Sequence, residues 1–166
     1  MIAILVVDAQ GELGDVDAVV VEDDTYHVLS ADPAWRPVAE HPLRVLNAAI
    51  GALPDALGDV TVVEERPLKL CAVIHDLDRE PSCDQRAIGL ALAEVLAIVQ
   101  RRELRSLALP LLGTVHGRVP VADAIEILRG ALAGASATTL RGLELRVAAA
   151  DVDRVRALLE PTAPQP

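Results

Sequence analysis

Leu-Ala-Leu-Pro-Leu-Leu-Gly-Thr-Val-His-Gly-Arg-Val-Pro, residues 107–120, is the stretch that decides the fold. Its apolar start predicts a strand over residues 106–111, and a run this uniformly apolar suits a strand covered on both sides. Gly113 and Gly117 then bracket a loop, and Pro120, suited to a first helical turn, opens a helix. Val121, Ala124, Ile125, Leu128 and Leu132 follow at helical spacing, and Gly134 helps to end that helix. A buried strand that passes through a glycine-bracketed loop into a helix is the junction at which open α/β sheets hold ligands.

Working outward, a continuous apolar run predicts a strand over residues 2–7, and further strands are expected over 17–21, 60–64, 68–75 and 143–149, with a short one over 26–29. A helix fits residues 42–53, with Pro42 in its first turn and Leu43, Leu46, Ile50 and Leu53 on one face. Trp35 falls in the irregular segment before it. Ser82 and Gln85 have the spacing of a capping box, so a second helix is expected from near Cys83, with Ile88, Leu92, Val95 and Val99 as its buried stripe. Asp151 is placed to cap the last helix, which buries Val152, Val155 and Leu158 or Leu159. The expectation is an α/β protein: a three-layer α/β/α sandwich with a mixed central sheet, one domain over residues 1–160 and a tail over 161–166.

The chain has 166 residues, of which 52% are hydrophobic and 24% charged, enough apolar mass for a sizeable core. Its net charge of −10 argues against nonspecific binding to nucleic acid and against attraction to an anionic membrane, both of which need clustered cations. Lys69 is the only lysine and sits in an apolar run without a phosphate-loop pattern, so a solvated or snorkelling role is expected for it. Phenylalanine is absent, which removes most aromatic platforms for bases. Cys71 and Cys83 lack a paired spacing and are expected as reduced thiols in a cytoplasmic protein. The first apolar run is too short to span a bilayer. The apolar richness allows a homo-oligomer.

These elements together resemble a macrodomain. The likeness rests on Cys71-Ala-Val-Ile-His75, the long helix after Cys83, the segment from Leu107 to Thr114, the helix opened by Pro120 and the final strand and helix. Residues 16–20, Val-Asp-Ala-Val-Val, resemble the second strand of that family. The resemblance implies a sandwich that binds ADP-ribose or a similar nucleotide, with some members removing ADP-ribose from macromolecules. Macrodomains usually follow the second strand with Asn-Ala-Ala-Asn and a glycine-rich loop; here the positions read Val21-Glu22-Asp23-Asp24. The later loop, Gly113-Thr114-Val115-His116-Gly117, keeps the first glycine and the threonine and replaces the next glycine by Val115.

On this reading the ligand-binding residues are Asp8, Asp24, Gly113, Thr114, Val115, His116, Gly117 and Arg118. Backbone N–H groups of the loop and the Arg118 charge suit an anion. The chemically reactive candidates are Asp24, His75 and His116, with Asp76 and Asp78 nearby in sequence, and a helix-start thiol at Cys83. Metal-ligand spacing is missing and no cofactor is expected. Three functions are in play. The first is a small nucleotide-like or ADP-ribose-like ligand bound without catalysis. The second is a structural or interaction domain with a lost pocket. The third is a hydrolase acting on an ADP-ribose-like substrate.

Overall fold

A computed structural model describes residues 2–29, 53–135 and 139–160. Six strands form one sheet: β1 (Ala3–Asp8), β2 (Ala18–Asp24), β3 (Val60–Val63), β4 (Leu68–His75), β5 (Ser106–Pro110) and β6 (Gly142–Val147). Three described helices accompany them, α1 (Gln85–Arg101), α2 (Val121–Gly134) and α3 (Val152–Leu159), the last entered through a 3-10 turn at Ala149–Asp151. The strand order is β1-β6-β5-β2-β4-β3, parallel throughout except for β3, which runs antiparallel to β4. This is the mixed sheet expected from the sequence.

Side-chain parity explains the layers. Leu68, Leu70, Ala72 and Ile74 of β4 share one face with Val20, Leu107, Leu109 and Leu145, and form one core with the buried stripe of α1 and with Ala124, Ile125 and Leu128 of α2. Residues of the opposite parity, Cys71, Val73 and Ala108, are buried as well, so both faces of the sheet are covered in a three-layer sandwich. Val155 is the buried residue of α3, with Val152, Leu158 and Leu159 partly buried against the core.

Several expectations are corrected. Residues 26–29 form a turn, not a strand, because the Asp24 carboxylate collects the N–H groups of Tyr26 and Leu29 that a ladder would have used. The cap of α1 is Asp84, whose Oδ1 accepts from Ala87 N at 2.7 Å; Ser82 lies outside the helix and faces His75 instead. Asp151 precedes α3 without a side-chain capping bond. Trp35 and the helix over 42–53 lie outside the described residues, as do residues 161–166.

Two irregularities open the sheet near the C-terminal end of β2. β2 and β5 pair at only two positions, Ala18 with Leu107 and Val19 with Ala108, so their C-terminal halves are not zipped together. β2 and β4 shift register between Asp23 and Asp24, skipping Ile74. The strand following β2 lies on one side of this point and the strand following β5 on the other, which makes it a switch point of the sheet.

Asp17 ties down the other end of these strands. Its Oδ2 accepts the N–H groups of Arg105 at 2.7 Å and Ser106 at 2.9 Å, and its carbonyl accepts from Leu68 N. Those two N–H groups hold the Asp17 carboxyl below its ordinary 3.8. The sign follows: Asp17 contributes stability that is present above the ordinary value and is lost as pH falls through the lower, folded value. Asp17→Asn should therefore lower the urea midpoint at neutral pH and lose less stability than the parent below about pH 4. A variant with an unchanged acid limb contradicts this role.

Candidate functional site

Glu22, near the end of β2, is the hub of the opened region. It pairs with Ala72 in the ladder and so projects to the helix-covered face. One carboxylate oxygen, Oε1, accepts the Gly113 N–H at 2.7 Å; the other, Oε2, lies 3.1 Å from His75 Nε2. Glu22 is 9% exposed in its side chain and His75 is fully buried. A carboxylate only accepts, so Nε2 carries the hydrogen of the imidazole and Nδ1 faces Ser82 Oγ at 3.2 Å. The ring of His116 stands edge-on to that of His75, with centroids 6.1 Å apart.

The loop after β5 is packed down onto this hub. Gly113 has φ +78°, and a Cβ there would come within 2.6 Å of Ile88 Cδ1. Gly117 lies so close to Cys83 that an added Cβ would sit 2.6 Å from the Cys83 Cβ. The Gly113 carbonyl accepts from Val119 N, and Thr114 spends its hydroxyl on the Leu111 carbonyl at 2.7 Å. Val115 is 68% exposed and His116 is exposed. Arg118, with φ +54°, points to solvent 3.8 Å from the Glu80 carboxylate. The cavity beneath the loop, bounded by Ile88, Leu109, Leu112 and Ala124 among others, holds only about 10 Å³.

The next two carboxylates are both fully buried. Asp24 uses Oδ1 for Tyr26 N at 2.8 Å and Oδ2 for Leu29 N at 2.7 Å. Asp23 accepts from Asp24 N and lies 2.6 Å from His27 Nδ1, while His27 Nε2 lies 2.8 Å from Asp55. The bond to Asp23, with the field of both carboxylates, holds the His27 imidazole above its ordinary 6.5. Asp8, at the end of β1, accepts from Gln10 N. A cavity of about 430 Å³ opens beside the acidic turn, lined by Thr25, Tyr26, Asp55, Asp76, Asp78 and Arg79 among others.

Thus the structure joins His75 to His116 and sets Asp24 beside His75 in the ladder, but turns the Asp24 carboxylate to its own loop. Asp76 pairs with Arg79 at 2.8 Å and caps Asp78 N, with no bond to either histidine. Burial pushes the Cys83 thiol up to about 12, helped by the Glu22 and Asp84 charges, which removes it as a nucleophile. Among the described residues no group of three or more His, Cys, Asp or Glu side chains could hold a metal ion, and no helix is long and apolar enough to cross a membrane. Ser82 and His27 are not among the residues singled out for the site from sequence, and Glu22 entered only as one of the residues standing where the resemblance has Asn-Ala-Ala-Asn. The one available signal for Glu22 was a charged residue at the end of an otherwise apolar strand.

No protein-family model and no curated protein matches the sequence. Solved structures do. The macrodomain of Oceanobacillus iheyensis with MES bound superposes with a TM-score of 0.68 at 15% identity, covering 95% of this chain and 89% of that one. The macrodomain of Thermus aquaticus DarG gives 0.59 at 19% identity, covering 87% and 99%. A Trypanosoma brucei macrodomain in complex with ADP gives 0.65 at 15%, covering 95% and 69%. The chain has the macrodomain fold. Within that fold, the Asn-Ala-Ala-Asn positions of the resemblance hold three consecutive carboxylates, each bonded to this chain's own N–H groups or imidazoles.

Two outcomes follow from this geometry. Gly113→Ala should cost about 1–3 kcal/mol in urea unfolding, through a strained φ and the Ile88 contact. Gly130→Ala, in the middle of α2 with nothing within 4 Å of the added carbon, should be neutral or stabilising. Equal losses at both sites contradict the tight loop packing. For His27, the raised folded value means its contribution is complete below 6.5 and is lost as pH rises through the folded value. The imidazole proton resonances of His27 should titrate above 6.5, and His27→Gln should flatten the decline of stability on the alkaline side; titration at or below 6.5 contradicts the double carboxylate contact.

Proposed function

We propose that this chain is an interaction module on the macrodomain fold, non-hydrolytic toward ADP-ribose, whose diphosphate subsite is filled from within by the Glu22 carboxylate. The observation that carries this reading is the 2.7 Å bond from Gly113 N to Glu22 Oε1. A glycine N–H at a strand-to-helix loop is the kind of donor that a phosphate takes. Here it already faces an anion, and Asp23 and Asp24 add two more buried acidic side chains at the next positions. A diphosphate entering this place meets like charge and must displace a bonded carboxylate. The hydrolytic reading with Asp24, His75 and His116 has less support, because both Asp24 oxygens are taken by backbone N–H groups.

The second reading, a small nucleotide-like ligand held by Asp8, Asp24 and the loop from Gly113 to Arg118, is favoured by the ADP-bound and ADP-ribose-bound relatives of the same fold. It requires Glu22 to swing away. Our reading also includes one domain over residues 1–160, a cytoplasmic setting supported by two buried cysteines outside any disulfide, and self-association as one form of interaction.

Calorimetric titration with ADP-ribose separates the two readings. The parent chain should give no saturable heat up to millimolar ligand. Glu22→Ala, which frees the Gly113 N–H and removes the charge, should bind at least tenfold more tightly than the parent, a change of about 1.4 kcal/mol. The same variant should lose about 1–3 kcal/mol of stability, since two buried donors are left without their acceptor. Micromolar binding by the parent overturns the filled-subsite reading in favour of the ligand-binding one.

A further inference from the structure

The Glu22 carboxylate has a second consequence, on the far side of His75. The Glu22 carboxylate calls for the tautomer with its hydrogen on Nε2, and in that tautomer the Nδ1 lone pair is directed at Ser82 Oγ, 3.2 Å away. The order is acid, imidazole, hydroxyl: Glu22, His75, Ser82. The three come from separate places, the end of β2, the end of β4 and the segment before α1. The acid and the imidazole are enclosed, whereas Ser82 is only partly buried. The serine is also held in place: Asp76, the residue after His75, donates its N–H to the Ser82 carbonyl at 2.8 Å. Ser82 stands two residues before the Asp84 cap, at the end of α1 where first-turn N–H groups have no intrahelical acceptor.

We infer that Ser82 is an activated nucleophile, with His75 as its base and Glu22 as the positioning residue, and that it acts on small uncharged carboxylic esters. In the acylation step Ser82 Oγ bonds to the ester carbonyl carbon while its proton passes to His75 Nδ1. The tetrahedral adduct collapses with cleavage of the bond to the leaving oxygen, which takes the proton from His75 and departs as an alcohol. Water then repeats the attack on the Ser82 ester, with His75 taking and returning the proton, to release a carboxylic acid and restore the hydroxyl. The acidic surroundings, with Asp76, Asp78 and Glu80 all on the segment leading to Ser82, disfavour anionic esters. This inference shares the Glu22 carboxylate with the filled-subsite reading, but its test is separate, because labelling of Ser82 needs no ADP-ribose.

The test is labelling of the intact chain with a fluorophosphonate probe, read by intact mass and by peptide mapping, alongside the initial burst with p-nitrophenyl acetate. One phosphonyl group on Ser82 is expected, abolished by Ser82→Ala and by unfolding in urea. His75→Gln should slow labelling by at least a hundredfold, the usual size of a positioned base. Glu22→Gln should slow it as well, with partial recovery in Glu22→Asp, a pattern that loss of packing alone does not give. Absence of label, label on another residue, or label that survives unfolding overturns the inference. So does an unchanged rate in a His75→Gln variant that melts like the parent; if that variant fails to fold, the comparison of native with urea-unfolded parent still decides.

Discussion

The structure depends on where one carboxylate goes. Glu22 stands at the point where β2 and β5 cease to pair, and its two oxygens meet a backbone N–H from one element and an imidazole from another. A buried anion with fewer partners is costly, because protein interior replaces water poorly around a charge. Glu22 meets that cost by drawing in Gly113 and His75, and each then constrains what lies beyond it. Gly113 brings down the loop to Val119 and the start of α2. His75 fixes Ser82 and, through the adjacent Asp76, the chain entering α1. The acidic end of β2 therefore acts as a brace between the two strand-to-helix connections.

The two neighbouring carboxylates follow the same rule locally. Asp24 closes the turn over residues 25–29 with two backbone N–H groups, and Asp23 binds the imidazole of His27, which also reaches Asp55. Three acidic residues in a row read as a solvated loop when burial is not known. Here Asp23 and Asp24 are fully buried and Glu22 nearly so, and all three are tolerated because each has two donors or cationic partners.

The fold was legible because it is written in local pattern. Continuous apolar runs over residues 68–75 and 106–111 marked central strands, helical spacing after Cys83 and Pro120 marked the helices, and Gly113 marked the loop. The site was legible only in part. Position in the sheet brought Gly113, His75 and His116 to one end, as their sequence context implied. The partners that decide their chemistry are 91, 53 and 7 residues apart along the chain, Glu22 with Gly113, Glu22 with His75 and Ser82 with His75. No periodicity reports a hydrogen bond of that kind. Ser82 shows the same effect in reverse: its spacing to Gln85 matches a helix cap, and a tertiary bond to His75 takes it elsewhere while Asp84 supplies the cap.

For the proposed reading, the state of one amide group, the Gly113 N–H that Glu22 accepts, is the decisive quantity. The backbone amide resonance of Gly113, followed during addition of ADP-ribose in the parent and in Glu22→Ala, which removes the acceptor, tests it directly. If Glu22 fills the subsite, the parent amide exchanges slowly with solvent and does not move with ligand, while in the variant it exchanges faster and shifts. A Gly113 amide in the parent that shifts on addition of ADP-ribose and exchanges as fast as in the variant contradicts the account.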